Sequence, residues 1–463
     1  FISLISVIII QAQKVSDFGN LYPATVCSIV YPKTTQEVQA AIAYALKHDL
    51  KISIAGVRHS QGGQTNAKGS LNIDMTHMNQ LIDLDVEKKL VRVQAGMSWE
   101  QLQDLLHPHD LSVKVMQASN IFSIGGSLSV NVHGRDPLYG AMIETIKSCT
   151  LVDCFGKIHE LDRKSDAKLF DLVVGGYGLF GVVIEVVLEV AENCACRKNK
   201  KTMAYQDYPN YLCNVILKNS SVQLHYARLV NIPGKNYLQK VVSLTYFKTH
   251  EALPKTELLP EKNIEKNQKL FDMARQFWGK VFNKIRWFFE ENVSVPWEKV
   301  HTLTRNHAMR PYVKCLYSKS QKFTDLLQEY FIPVESFVYF TDQLRSLSEQ
   351  YEIRLMNVTL RWTPKDHESF LSYGQKDTIA FVLYFSIKPD EVKKIKKYSQ
   401  SLIDACLKTG GSFYLPYQRF ATKCQLLQSY PMLPKFVEEK KKYDPLNLFI
   451  SSWYQDYILP ATL

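Results

Sequence analysis

Residues Ile54-Ala-Gly-Val-Arg-His-Ser-Gln-Gly-Gly63 bring two kinds of chemistry together in one short loop. Their small side chains let main-chain N–H groups approach a diphosphate, because little stands in the way. His59 adds an imidazole inside that anion-binding turn. The combination points to a flavin dinucleotide, with the imidazole placed for covalent attachment. Taken alone, His59 reads more readily as a capping or solvent-facing histidine than as a ligand. His133, followed by Gly134 and Arg135, is no more specific.

Two later stretches share this character. Residues 117–134 read Gln-Ala-Ser-Asn-Ile-Phe-Ser-Ile-Gly-Gly-Ser-Leu-Ser-Val-Asn-Val-His-Gly, which suits a segment lying against a large flat ligand rather than a core element. Gly175-Gly-Tyr-Gly-Leu-Phe-Gly181 has the spacing of a dinucleotide-binding fingerprint. That fingerprint needs a helix after its glycines, whose N-terminus holds the pyrophosphate. Here the β-branched run Val182-Val-Ile-Glu-Val-Val-Leu188 follows and reads as a strand. The glycines then serve a tight turn or close approach to a ring system, and an NAD site is not expected.

The elements that must position these stretches read as α/β. Val26–Val30 is a short strand and Thr34–His48 a helix with Thr34 and Thr35 as cap candidates and Val38, Ile42, Ala45 and Leu46 on one face. Strands follow at Ile52–Ile54, Ser70–Asp74 and Leu90–Val93, and a helix at Ser98–Leu106. Thr145–Asp153 and Lys157–Leu161 form a hairpin around Phe155-Gly156. The apolar run Phe170–Val174 and a strand at Val182–Val190 complete this part. The basic run Arg197-Lys-Asn-Lys-Lys201 marks a domain boundary. The next part, to about residue 412, is rich in aromatics, with strands at Val241–Phe247, Met356–Trp362 and Thr378–Ile387. Phe271–Phe289 reads as an amphipathic helix, with Phe277 and Trp287 standing off its apolar face among Lys280, Lys284 and Arg286. Those two leave room for a membrane-surface role.

The bulk numbers set the class. A chain of 463 residues, 46% apolar and 22% charged, is an ordinary well-cored globular protein of two domains. Its net charge of +11 favours acidic surfaces or phosphorylated ligands. The basic residues are dispersed and no nucleic-acid-binding signature is present, so no nucleic-acid partner is expected. Nine cysteines without a CxxC pair are not a disulfide framework, and a reducing compartment fits best. The apolar opening Phe1–Ile10 is too short to span a bilayer and reads as a packed strand or helix, with the end of a removed signal or anchor as the alternative. A cytoplasmic location is the expectation, with membrane association left open.

Six motifs occur in order. They are Tyr31-Pro-Lys-Thr-Thr-Gln-Glu-Val38, Gly56-Val-Arg-His-Ser60, Val93-Gln-Ala-Gly96, Ile124-Gly-Gly126, His133-Gly134 and Gly178-Leu-Phe-Gly181. Together they resemble the FAD-binding domain of the vanillyl-alcohol oxidase / p-cresol methylhydroxylase (PCMH-type) flavoproteins. Leu326–Pro333, Gly410-Gly-Ser-Phe-Tyr414 and Tyr443–Ser451 are similar to the sugar-oxidising branch, which includes decaprenylphosphoryl-ribose, alditol and aldonolactone oxidases. The resemblance implies an α+β chain. A two-subdomain PCMH-type FAD-binding domain would span residues 20–195 and an antiparallel-sheet substrate domain with helices 196–412. Residues 413–463 would return to the first.

The resemblance also implies FAD, covalent or tightly bound: His59 stands where the covalent oxidases bond the flavin, the decaprenylphosphoryl-ribose enzyme holds FAD without such a bond, and 117–134 has no cysteine for a second bond. Gly56, Val57, Arg58, His59, Ser60, Gln61 and Gly62 are assigned to the cofactor. So are Ala118, Ser119, Ser123, Gly125, Gly126, Ser129, His133 and Gly134, together with Gly178, Gly181, Val182, Val183 and Tyr414. Arg361 would orient the substrate oxygen, and Tyr414 and Tyr417 would relay its proton, with Arg419 lowering a phenol pKa. Ring packing against the flavin is the competing role for both tyrosines. The family's lysine a few residues after Tyr414 is missing, since Tyr414-Leu-Pro-Tyr417-Gln418-Arg419 stands there. Its Glu-x-Arg pair is reduced to Thr359-Leu-Arg361.

The expected activity is oxidation of a CH–OH group in a sugar-like alcohol, an aldonolactone or a lipid-linked sugar. Two alternatives stay open. One is a flavin subunit of a lipid-linked sugar epimerase with a reductase partner. The other is a non-catalytic flavin- or ligand-binding protein.

Overall fold

The computed structural model describes residues 11–232, 234, 236–258, 302–310 and 323–462. The apolar opening and the basic aromatic helix at 271–289 lie outside the described residues. Gln13–Val15 (β1) and Ala24–Val26 (β2) form an antiparallel pair. Ser28–Val30 (β3), Ile52–Ala55 (β4) and Leu71–Asp74 (β5) form a parallel sheet in the order β3-β5-β4. The single strand read at Val26–Val30 is thus split at Cys27, because its two halves pair with different partners.

Parallel strands need crossover connections, and the helix Thr35–Lys47 supplies the one from β3 to β4, on either side of β5. The Thr34 side chain accepts from the Glu37 N–H, and the Glu37 carboxylate accepts from the Lys33 N–H at 2.7 Å. Val38, Ala41, Ile42 and Ala45 are buried against this sheet. The crossover leaves the 56–63 loop at the C-terminal end of β4, where open α/β sheets bind ligands.

Leu81–Asp85 (β6), Leu90–Gln94 (β7), Leu111–Val113 (β8), Ile146–Val152 (β9), Ile158–Asp162 (β10) and Val182–Glu192 (β11) form a second sheet. Its order is β10-β9-β11-β7-β6, with β8 also on β11. Val182, Ile184, Val186, Leu188 and Val190 of β11 are buried while the residues between them are half-exposed, a period of two. A strand therefore follows the 175–181 glycines, as their context predicted. The run Phe170–Val174 lies largely within a helix, Ala167–Val173. Residues 117–134 contain a short helix, Ile124–Ser129, that buries Ile124 and Leu128 in the core.

Close backbone approach is decided at Gly96. A Cβ there would lie inside 3.0 Å of the Met75 and Met78 carbonyl oxygens. Gly96→Ala is expected to destabilise the fold by about 1–3 kcal/mol. A lowered urea midpoint at unchanged slope would show it.

Eight strands form the third, antiparallel sheet. They are Ala195–Ala204 (β12), Val222–Leu229 (β13), Lys240–Lys248 (β14), Leu303–Thr304 (β15), Thr324–Pro333 (β16), Asn357–Thr363 (β17), Thr378–Ile387 (β18) and Ser412–Phe413 (β19). Their order is β15-β12-β14-β13-β17-β18-β16-β19. The helices Phe337–Gln350 and Val392–Lys408 cover one face, where Phe337 and Phe340 meet Phe381 and Tyr398 meets Phe385. The opposite face carries polar residues in register. Arg228 pairs with Thr359, Thr359 with Val382, and Val382 with Glu329.

After β19 the chain returns to the first sheet. The Ile52 N–H donates to Leu448 O at 2.8 Å, and Trp453 stacks on Tyr177 at 4.4 Å. The described cysteines are free thiols. Among the described residues no helix is long and apolar enough to cross a membrane.

Candidate active site

Beyond Ala55 the chain turns into a cleft. Gly56 to Ser60 line it together with Ser123, Gly125, Gly126 and Ser129 of the short helix and Gly178, Gly181 and Val183 of the third stretch. Three separate parts of the sequence thus share one cavity. The N–H groups of Val57, Arg58 and Ser60 donate to no other described residue. The Ser60 hydroxyl is buried with no hydrogen-bond partner among the described residues. A Cβ on Gly56 would lie inside 3.0 Å of Ser123 Oγ. Donors without protein acceptors, on a loop where Gly56 packs closely against Ser123, fit a diphosphate-bearing group.

Arg58 holds the turn. Its φ of 55° is unusual for a residue with a side chain, and its guanidinium is tied to Asp74 and, at 2.7 Å, to Asn72. His59 stands between Phe18 and Phe122, with ring centroids at 5.3 and 4.8 Å. Burial lowers its pKa to about 4. The imidazole is therefore neutral, and nucleophilic, at neutral pH.

Several assigned residues lie elsewhere. Gln61 accepts from the Leu327 N–H at 2.9 Å and from the Gln418 amide, so it ties the loop to β16 instead of lining the cavity. The Gly62 N–H is used by Gln64 Oε1 at 2.9 Å. Gly134 lies against the Met116 backbone. Val182 points into the core, because strand alternation gives the cavity to Val183. Ala118, Ser119 and His133 line a second, adjoining cavity.

That second cavity, about 270 Å³, shares Gln117, Phe122, Val132, Leu327, Tyr414 and Tyr417 with the first. Its floor is the polar face of the third sheet. His133 Nε2 and Glu329 Oε1 are 2.6 Å apart, and the Tyr417 hydroxyl donates to Glu329 Oε2 at 3.2 Å. Burial pushes the Glu329 carboxyl up, but His133 and Arg361 outweigh it and hold the pKa below the ordinary value. Burial, with Glu329 adding to it, raises the Tyr417 phenol well above its usual range.

Tyr414 donates to Val130 O at 2.7 Å and packs edge-on against Phe331, so its hydroxyl is already engaged. Arg419 does not lower a phenol of this pair. It lies over the Tyr22 ring and pairs with Asp456 at 3.0 Å. Gln418, near the position of the missing lysine, turns its side chain to Gln61 and Gln328.

Glu329 escaped the sequence reading. The carboxylate lost from Thr359-Leu-Arg361 is supplied two strands away, since Glu329 and Thr359 both pair with Val382. The available signal was a lone acid within the apolar strand Leu326–Pro333. Its partner strand was not legible. Arg135, Tyr226, Arg228 and Asn357 also line this cavity and were not assigned.

Comparison with known proteins adds the context. An FAD binding domain model matches residues 27–162, and a D-arabinono-1,4-lactone oxidase model matches residues 236–457. An uncharacterized oxidoreductase, ORF5 in the fasciation locus of Rhodococcoides fascians, is 29% identical over 176 residues, 38% of this chain and 40% of the relative. Decaprenylphosphoryl-beta-D-ribose oxidase of Mycolicibacterium smegmatis is 28% identical over 181 residues, 38% and 39%. L-gulonolactone oxidase of Bos taurus is 27% identical over 179 residues, 39% and 40%. The chain spans about two fifths of the length of these relatives.

Proposed function

We propose that this chain, which belongs to the PCMH-type FAD-binding flavoproteins of the sugar-oxidising branch, oxidises a CH–OH group of a sugar-like alcohol, an aldonolactone or a lipid-linked sugar. The observation that carries the reading is the junction of two cavities. One is built for a diphosphate group, and the other holds a buried Tyr417–Glu329–His133 cluster. FAD, when bound, supplies the acceptor for the hydride.

The chain's own residues do the rest. The loop 56–60 and the Ser123–Ser129 segment would hold the diphosphate, and Gly178 and Val183 line the same cavity. Arg361 orients the substrate oxygen and stabilises its developing charge. Tyr417 lines both cavities and passes the hydroxyl proton to Glu329, which stays ionised until then. His133 fixes the carboxylate in place. His59, neutral and clamped between two phenylalanines, is the attachment point for the flavin.

Acid precipitation of the purified protein tests the attachment. A yellow pellet is the expected result, and a colourless pellet with a yellow supernatant would refute the covalent bond. Peroxide release with a polyol panel is expected for an oxidase. Anaerobic bleaching without peroxide in air would favour another electron acceptor, such as a reductase partner. No bleaching by any alcohol would favour the binding-protein reading.

A further inference from the structure

Gln117 lines both cavities, and none of the steps given to Arg361, Tyr417 and Glu329 uses it. Its carboxamide is held at one end. Trp99 Nε1 donates to Gln117 Oε1 at 2.9 Å, and Ser127 Oγ lies 2.9 Å from the same oxygen. An indole N–H can only donate, so it decides which end of the carboxamide is the oxygen. The Nε2 amide is therefore turned away from Trp99. It has no acceptor among the described residues, and the half-buried side chain opens on both cavities.

The clamp is rigid. Trp99 and Ser127 are fully buried. Trp99 Nε1 is also 2.9 Å from Ser127 Oγ, so the three side chains close a triangle on the helix Ile124–Ser129. The N-terminus of the helix Trp99–Leu106 grips the chain that follows Gln117. There the Trp99 N–H donates to Phe122 O at 3.0 Å and the Glu100 N–H to Asn120 O at 2.8 Å. All of these partners fall within residues 27–162, the part matched by the FAD binding domain, and none lies on the third sheet. The elements that hold the cofactor thus orient the amide before any substrate enters. Gln117 also shares both cavities with Phe122, whose ring packs on His59, the proposed attachment point, at 4.8 Å.

We propose that the Gln117 amide donates a hydrogen bond to a carbonyl oxygen of the flavin ring and so raises the reduction potential of the flavin. Reduction adds electron density to the ring, and its oxygens become stronger acceptors. A donor already in place stabilises the reduced form more than the oxidised one, with no reorientation at the moment of transfer. The inference rests on FAD binding and not on the substrate reading.

Dye-equilibration titration of the FAD-loaded full chain, without alcohol, tests it. Gln117→Met keeps the bulk and removes the donor. Gln117→Glu keeps one oxygen for Trp99 and Ser127 and turns a second oxygen to the ring in place of the amide. In Gln117→Met the ratio of reduced to oxidised flavin at a fixed potential is expected to fall about ten-fold, the scale of a hydrogen bond to a charged acceptor, which is about 30 mV for a two-electron couple. In Gln117→Glu it is expected to fall further at about pH 8, where a carboxyl is ionised. That second fall, with the clamp intact, separates loss of the donor from loss of packing. A folded, FAD-loaded Gln117→Met with the original potential would overturn the proposal. So would an unchanged or raised potential in Gln117→Glu, which carries the test if the Met variant fails to load FAD. An unchanged potential with weaker D-glucitol binding would also overturn it, since the amide would then serve the substrate. A lowered potential in variants of a protein whose flavin no alcohol bleaches supports the inference and refutes the oxidoreductase reading, so the two fail separately.

Discussion

Glu329→Gln is expected to slow flavin reduction by alcohol about 10²–10⁴-fold, the usual range for loss of a proton-accepting group. Glutamine keeps the shape and a hydrogen bond to Tyr417 but is not a base. Flavin content should be unchanged, because Glu329 lines the second cavity and not the first. Anaerobic stopped-flow separates these effects, since bleaching slows while the starting spectrum stays the same. A variant that bleaches at the original rate would exclude Glu329 as the proton acceptor. Tyr417→Phe should be milder, because the carboxylate remains in place.

The same residue sets a pH dependence. The folded protein holds the Glu329 pKa below the ordinary 4.5. The resulting stabilisation is complete above 4.5 and is lost as pH falls through the lower folded value, where the native carboxylate must take up a proton. The Gln variant lacks that titration. Its stability should therefore fall less steeply below about pH 4.5, measured by denaturant midpoints across the acid range.

His59→Ala is expected to abolish covalent attachment outright, moving the yellow colour from acid pellet to supernatant. FAD should still bind before acid treatment, because the N–H groups of Val57, Arg58 and Ser60 and the serine-rich segment remain. The wild-type imidazole has its pKa lowered to about 4 by burial. It is neutral from about pH 5 upward, so attachment to added FAD should be nearly independent of pH there and slow toward pH 4. If the pellet of His59→Ala stayed yellow, attachment would lie at another residue.

Much of the first cavity was legible because it is made by local chemistry. A glycine-bearing loop after a strand, a serine-glycine segment and a glycine cluster before a strand each declare their backbone needs in a few residues. The helix Thr35–Lys47 was legible for the same reason, from its Thr34 cap and its apolar spacing. The exclusion of an NAD fingerprint at 175–181 rested only on the β-branched run that follows. The loop residues Gln61 and Gly62 were less so. Their neighbours face the cavity, but the side chain of Gln61 and the N–H of Gly62 are taken by partners that no local pattern reveals.

The amino-acid order alone fixed which segments would be glycine-lined turns and which strands would follow them, because backbone sterics and side-chain period act over a few neighbouring residues. Tertiary pairing decided the second cavity. Glu329 comes into line with Thr359 and Arg228 only because β16, β17 and β13 are ordered around β18 as they are. Strand order depends on long-range burial, with helices covering one face of the sheet, and no short-range pattern encodes it. The lost acid of the Thr359-Leu-Arg361 strand is therefore replaced by one that sequence distance hides and sheet register restores.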